Sequence, residues 1–300
     1  MNGENILTLR HFRIFVAVCD TMNMTAAAEG LFMSQSAVSQ AIAELEKHYD
    51  VRLFERLSRK LYLTQPGQKL LSYARHIIRM NAEVENDMKA LHKNGFIRLG
   101  ASVTVGAHVL PKLVAQFKKE SPQTDIEVFE DNTENIEKLI LQDKIDIGLV
   151  EGDTTSPDIL NQSFMDDELV LICGVNHRFA NLSAVEPQEL EQEEFIIREK
   201  GSGTRKTFED RMTANSLTWK VIWTCNNADT IKMAVAQGLG VSVISQLSVA
   251  NEVASGLLCQ LTVKGIRFNR QFKIIYHRNK YLTEPMKQFI ITVDDWASSD

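Results

Sequence analysis

The sequence predicts three parts in series: a winged helix-turn-helix head, all-α with a short wing; a long linker helix; and an α/β body of two doubly wound lobes. Three observations predict it. Apolar residues recur at helical spacing between Leu9 and Tyr49, recur again at spacings of four and three between Leu70 and Leu91, and after Phe96 strand-like and helix-like segments alternate. A chain of 300 residues is long enough to bury two or three cores. The expected boundaries are 1–64 for the head, 65–93 for the linker and 94–300 for the body, with one lobe at about 94–162 and 267–300 and the other at about 163–266.

In the head, Leu9, Phe12, Ile14, Phe15, Val16 and Val18 give a first helix from about Thr8 to Met22. Asn23 or Thr25 can cap a short second helix, Ala26 to Leu31, whose three consecutive alanines allow close approach of a neighbouring helix. Ser34 is a good cap for a third helix, with Val38, Ala41, Ile42, Leu45 and Tyr49 as its apolar stripe. The opposite face near its start carries Gln35, Ser36, Ser39 and Gln40. Gln can bond adenine N6 and N7 in the major groove and Ser can reach a base or a phosphate, which is the chemistry of a recognition helix; a merely solvated polar face is the alternative on this stripe alone. Downstream, Arg52, Arg56, Arg59 and Lys60 surround the single acid Glu55, and Leu61, Tyr62 and Leu63 alternate like a short strand. Together they describe a wing with basic phosphate contacts.

The run AAAEGLFMSQSAVSQAIAELEKHYDVRLFERLSRKLYLTQPG resembles the N-terminal signature of LysR-type transcriptional regulators. The alanine pair, SQ-x-AVS, the Leu45-Glu46 pair, LFER and the LTxxG ending match in order and spacing, with Thr25 before the alanines and Pro66 before Gly67 as departures. The resemblance implies a regulator rather than an enzyme, double-stranded DNA with an inverted-repeat operator as a partner, and RNA polymerase as another. It assigns DNA contacts to Thr25, Ser34, Gln35, Ser36, Ser39, Gln40, Arg52, Arg56, Arg59 and Lys60.

Thr64 can cap the linker helix, with Pro66 tolerated in its first turn. Leu70, Ala74, Ile77, Asn81, Val84, Met88 and Leu91 form a coiled-coil seam of about three heptads, with Asn81 as the polar position that fixes register; packing of the helix on its own domain is the alternative. The resemblance implies dimers paired through this helix and often tetramers. A dimer would set two recognition helices about 34 Å apart on DNA, or a multiple of that.

In the body, strands are expected at Phe96–Ala101, Asp125–Glu130 and Ile145–Val150, with helices at Val105–Lys119, despite Pro111, and Asn135–Leu141. The second lobe begins with a strand at Phe164–Gly174. It continues with strands at Phe195–Arg198, Val221–Thr224 and Val241–Ile244 and helices at Thr204–Ala214 and Ala228–Gln237. Phe272–Tyr276 and the helix Glu284–Trp296 have no partner left there and are expected to cross back to the first lobe. In open α/β sheets ligands bind beyond the carboxyl ends of strands. Four such ends carry matching residues: Ser102 and Thr104, with Val103 between them; Asn132 and Thr133; Gly201, Ser202, Gly203, Thr204 and Arg205; Asn226, Asn227 and Thr230. GSGTR carries most weight, because its glycines admit close backbone approach while Thr204 and Arg205 supply a hydroxyl and a charge. The resemblance implies a periplasmic-binding-protein-like effector domain in which these positions line the cleft for a small, anionic metabolite; no cofactor is expected.

Charge agrees with this division. The chain has 33 Lys+Arg and 39 Asp+Glu, a net of −6, yet residues 1–98 hold 13 against 10 and the remainder 20 against 29. A basic head on an acidic body fits a DNA reader joined to something else. Cys19, Cys173, Cys225 and Cys259 form no CxxC pair and read as reduced core thiols. The seven histidines sit in no recognisable arrangement with a nucleophile, and neither a Walker loop, a strand-adjacent GxGxxG nor GxSxG is present. The start MNGENILTLRHF lacks signal-peptide features and no apolar run approaches a membrane span, so a cytoplasmic protein is expected, without the export signal a secreted solute-binding protein would carry.

Overall fold

A computed structural model describes residues 7–57, 60–89 and 95–298. They fall into two compact units, one built on the first 93 residues with the short segments 141–143 and 279–281, the other on 94–140, 144–278 and 282–300.

The first unit contains α1 (Leu9–Thr21), α2 (Met24–Gly30), α3 (Gln35–Tyr49), the antiparallel hairpin β1 (Phe54–Leu57) and β2 (Lys60–Leu63), and α4 (Gln65–Lys89). Its core brings Phe15 and Val18 of α1, Ala27 and Ala28 of α2, Val38 and Leu45 of α3 and Ala74 of α4 together around Leu53 and Phe54. Two of the three alanines of α2, Ala27 and Ala28, do what their size suggests and are buried against neighbouring helices. Asn23, rather than Thr25, is the cap of α2: its Oδ1 accepts from the Thr25 and Ala26 amides at 2.9 and 3.2 Å. Tyr49 leaves the apolar stripe predicted for it and is 42% exposed, because α3 stops at Asp50 in a left-handed conformation (φ 51°). Half of the wing, β1, is absent from the predicted elements; its FERL run shows a single buried side chain at the start, so no alternation announces it.

The linker helix departs from the expected seam in its first half. Leu70, Ala74 and Ile77 pack into the head's own core, so these positions follow intradomain packing. Asn81 donates to Glu85 Oε1 on its own helix at 2.8 Å, and Val84 is 54% exposed. The Met88 side chain and Leu91 lie outside the described residues.

The second unit contains β3 (Phe96–Ser102), α5 (Val103–His108), α6 (Leu110–Glu120), β4 (Asp125–Asp131), α7 (Thr133–Leu141), β5 (Ile147–Glu151), β6 (Ile159–Gly174), β7 (Ala184–Val185), a 3-10 turn at Pro187–Gln192, β8 (Glu194–Arg198), α8 (Gly203–Ala214), β9 (Lys220–Cys225), α9 (Ala228–Ala236), β10 (Ser242–Ser245), α10 (Gln246–Ala254), β11 (Leu258–Val263), β12 (Phe268–His277) and α11 (Glu284–Ala297). In the first lobe β4, β3 and β5 run parallel and β12 joins antiparallel to β5. In the second, β10 and β11 pair with β6, β8 pairs parallel with β9, and a bridge from Phe195 to Val241 carries the sheet across to β10. The sheets are therefore mixed, because the two crossing strands run against their neighbours.

The expected helix Val105–Lys119 is two helices. Pro111, in the first turn of α6, has no N–H to continue an i to i−4 ladder and its ring excludes the preceding carbonyls, so α5 ends and α6 restarts at Val109 (φ −118°). The second lobe's first strand starts earlier than predicted: β6 is 16 residues long and pairs with β12 from Ile159 to Leu169, so both strands serve both lobes. β11 and α10 have no counterpart among the predicted elements. Separate cores fill the lobes: Leu99, Leu113, Phe117, Phe272 and Phe289 in the first, Phe195, Phe208, Met212 and Phe268 in the second.

Candidate functional site

The polar end of α3 is the first candidate. Ser34 caps the helix, its Oγ accepting from the Ala37 amide at 3.2 Å and lying 3.0 Å from Ser36 Oγ. Gln35 Nε2 donates to Ser39 Oγ at 2.7 Å, and Gln40 Nε2 to Glu44 Oε1 at 2.9 Å. Each of these groups is thus held by an exposed intrahelical partner, a bond that a base edge can replace at small net cost. Glu44 also accepts from His11 Nε2 at 2.8 Å; these two hydrogen bonds, His11 first, hold its carboxyl below the ordinary range. Phe32, in the turn ahead of Ser34, is 98% exposed and left-handed (φ 54°). Thr25 lies in the first turn of α2.

The wing explains much of the sequence signature in structural terms. Glu46 Oε1 accepts from the amides of Leu53 and Phe54 at 2.8 and 3.3 Å, turning the chain from α3 into β1. Thr64 Oγ1 donates to the Arg52 carbonyl at 2.6 Å and accepts from the Gly67 amide at 3.1 Å, joining wing to linker. A Cβ on Gly67 would stand 2.3 Å from the Leu53 carbonyl oxygen, so this position admits only glycine. Arg56 and Lys60 project as exposed residues from the hairpin, Arg52 is exposed beside Glu46 at 3.4 Å, and Arg59 lies outside the described residues.

The second candidate lies between the lobes of the second unit, where three of the four predicted strand ends meet. Ser102, at the end of β3, donates to Glu151 Oε2, and Thr104 Oγ1 lies 3.5 Å from Glu151 Oε1. From the other lobe Thr204 Oγ1 lies 3.5 Å from the same oxygen. Thr133 Oγ1 donates to the Glu151 carbonyl at 3.1 Å, and the Glu134 amide donates to the Gly201 carbonyl at 3.1 Å. Asn132 Oδ1 caps α7 by accepting from Asn135 at 3.0 Å and faces Gly201. Gly201 is left-handed (φ 88°), and a Cβ on Gly203 would stand 2.3 Å from the Glu151 carbonyl oxygen; the two glycines of GSGTR are what let the α8 start lie against β5. Val103 opens α5 between Ser102 and Thr104. Ser202, which precedes α8, has a buried Oγ with no hydrogen-bond partner. Asn226 and Asn227 are not drawn in by any described hydrogen bond: Asn227 caps α9 through Thr230 at 2.8 Å and donates to Asn226.

The charge in this cluster comes from residues that sequence reasoning missed. Arg205, expected to supply it, is committed to Glu209 at 2.8 Å and to the Arg198 carbonyl. Arg270, on β12, instead donates from Nη1 to Thr204 Oγ1 at 2.8 Å and from Nε to Asp167 Oδ2 at 2.7 Å, with Nη1 3.6 Å from Glu151 Oε1. Asp167 also accepts from Ser245 Oγ at 2.7 Å. Burial pushes the Asp167 carboxyl up, opposed by Arg270 and Ser245. The signal for Glu151 was legible in IGLVE, a strand buried at every position that ends on a charge. Arg270 and Asp167 face each other in register across β12 and β6, a pairing that only the fold creates. A cavity of about 460 Å³ reaches Arg270 between Gly152, Gly203, Lys206 and Lys273, within the range that holds small ligands. Among the described residues no group of three or more His, Cys, Asp or Glu could hold a metal ion, and no helix is long and apolar enough to cross a membrane.

Residues 9–68 match the bacterial regulatory helix-turn-helix protein family of lysR type, and residues 92–298 match the LysR substrate binding domain. The chain belongs to the LysR family of transcriptional regulators. The HTH-type transcriptional regulator YeiE of Escherichia coli is 31% identical over 284 residues, covering 95% of this chain and 96% of that protein. Among solved structures, the regulatory domain of CcmR from Synechocystis PCC6803 in complex with 2-PG has a TM-score of 0.64 at 26% identity, covering 68% of this chain and 98% of that one. A full-length OxyR variant from Pseudomonas aeruginosa has a TM-score of 0.68 at 21% identity, covering 98% and 95%, which speaks for the fold. This LysR-type chain is accordingly a DNA-binding regulator with an effector-binding domain, not an enzyme, and belongs to a family whose members form oligomers.

Proposed function

We propose that this LysR-type regulator reads an inverted-repeat operator and that a small anionic metabolite, bound between the lobes of residues 94–300, switches how it engages the promoter. The observation that carries this reading is the convergence of the Ser102, Thr104 and Thr204 hydroxyls on one carboxylate position reached from both lobes, with Arg270 Nη1 3.6 Å from it and donating to Thr204. Hydroxyl and guanidinium donors converging on one point suit an oxyanion. The bound 2-PG of the CcmR regulatory domain supports a small ligand in this class of domain. On the DNA side, Gln35, Ser36, Ser39 and Gln40 read base edges, Thr25 and Ser34 with Arg52, Arg56, Arg59 and Lys60 contact the DNA backbone, and the distal half of α4 around Val84 pairs two copies in a dimer that associates to a tetramer. RNA polymerase is the downstream partner. Ligand closing the lobes shifts a pre-existing equilibrium between promoter-bound geometries.

The reading is tested by comparing Gln35→Ala with Thr204→Ala in gel shifts on the gene's own upstream region, with and without a panel of carboxylate and phosphate metabolites. Gln35→Ala should lose sequence-specific binding and keep ligand binding, while Thr204→Ala should keep operator binding and lose the ligand response. Equal loss of DNA affinity in both overturns the assignment of the two functions.

A further inference from the structure

The carboxylate on which those donors converge is the protein's own. Glu151 is 1% exposed and takes the hydroxyl of Ser102 from one lobe and lies against Thr104 and Thr204 from both. Gly203 packs on its side chain, where a Cβ would stand 2.6 Å from Glu151 Cγ, so the α8 start is fitted to this glutamate. The charge count points the same way. One guanidinium, Arg270, lies against two buried carboxylates, Glu151 and Asp167, so the cluster has no positive charge to spare for an anion from outside. Bringing a third negative charge beside these two into a buried site is opposed by both repulsion and desolvation. Meanwhile the buried Ser202 hydroxyl next to Gly203 has a hydrogen bond still to give.

We infer that Glu151 is a tethered competitor of the effector: its carboxylate fills the anion position of the cleft, and an effector anion binds by replacing it. This rests on the anionic-effector reading above. A tethered group acts at the effective concentration of an intramolecular partner, at least millimolar, so a ligand offering only one carboxylate exchanges like for like and gains little. The effector that succeeds must add contacts that Glu151 cannot make, such as a second anionic group or a hydrogen bond with Ser202. Glu151 is therefore a specificity-determining residue that excludes simple carboxylates.

Acetate is the probe, because it replaces the part of the side chain that Glu151→Ala removes. Acetate binding to the full-length wild type, Glu151→Ala and Glu151→Gln is measured by calorimetry and by thermal shift at constant ionic strength. Glu151→Ala should bind acetate at least tenfold more tightly than the wild type, with a rising melting temperature on titration, and adding Thr204→Ala should abolish the gain. The isosteric Glu151→Gln, which keeps the shape of the site, should show a smaller gain and carries the comparison if the alanine variant does not fold. Acetate binding equally well to the wild type and both variants overturns the competition but leaves the anion site standing. Folded variants that bind no acetate at all overturn the anion site itself, and the competition with it.

Discussion

Replacing Arg270 by methionine should be among the most damaging single changes in the body. Its side chain is 2% exposed and sits between Asp167 at 2.7 Å and Glu151 at 3.6 Å, each buried to a similar extent. Methionine fills the space of the stem but leaves two carboxylates facing each other without a cation, and Thr204 without its donor. Breaking a buried pair by removing one partner costs about 3–5 kcal/mol. For a domain of this size each kcal/mol shifts the melting temperature by about 2–4 °C, so the expected fall is about 6–20 °C. The loss should also be pH-dependent. Burial already raises the Asp167 carboxyl, and Arg270 is the largest influence holding it down. In the variant its folded-state pKa rises further above the unfolded value near 4, so the folded state takes up the proton more readily and stability recovers as pH falls. Circular-dichroism melts of both proteins should show the gap widest at about pH 8 and narrower at about pH 5. A fall of less than about 3 °C, or a gap that widens on acidification, refutes the account of a cation balancing two buried acids.

Three further changes test separate parts of the structure. Gly203→Ala places a Cβ 2.3 Å from the Glu151 carbonyl oxygen, a backbone atom that cannot give way, and should cost more than about 2 kcal/mol in urea unfolding. Ser202→Ala removes a buried hydroxyl with no partner, so ligand-free protein should be as stable as the wild type or gain up to about 1 kcal/mol; a loss of similar size would reveal a partner for that oxygen. Phe32→Asn relieves a left-handed backbone at a residue that is 98% exposed and should leave the melting temperature unchanged or raise it, by about 1 kcal/mol in stability; clear destabilisation would show that the ring is packed.

The head was legible in the sequence because its helices bury one stripe each and its caps are local: Asn23, Ser34 and Thr64 act within three residues of the groups they satisfy. The linker misled in its first half because Leu70, Ala74 and Ile77 meet the heptad spacing while serving intradomain packing, and spacing does not say which neighbour a helix faces. In the cleft, the hydroxyls and glycines could be read from their places at strand ends. Arg270 and Asp167 could not, since 103 residues separate them and strand register alone sets them opposite. Cys173 and Cys259 are a similar case: distant in sequence, they are register partners across β6 and β11. Burial pushes the Cys173 thiol up to about 12, which disfavours the thiolate.

The paired crossing strands also determine which heritable changes the body can absorb. Between Phe272 and Lys273 the register shifts, so Phe164 is the extra residue on the opposite strand, and the phase of everything beyond it depends on that one count. Losing or gaining a residue between this point and Asp167 would turn Asp167 or Arg270 to the other side of the ribbon and empty the cluster in a single step. Turns such as 152–158 carry no such phase, and indels there leave the ribbon in step. A lineage can therefore revise what the cleft recognises by lengthening and rewording its turns, while the ribbon evolves by substitution alone.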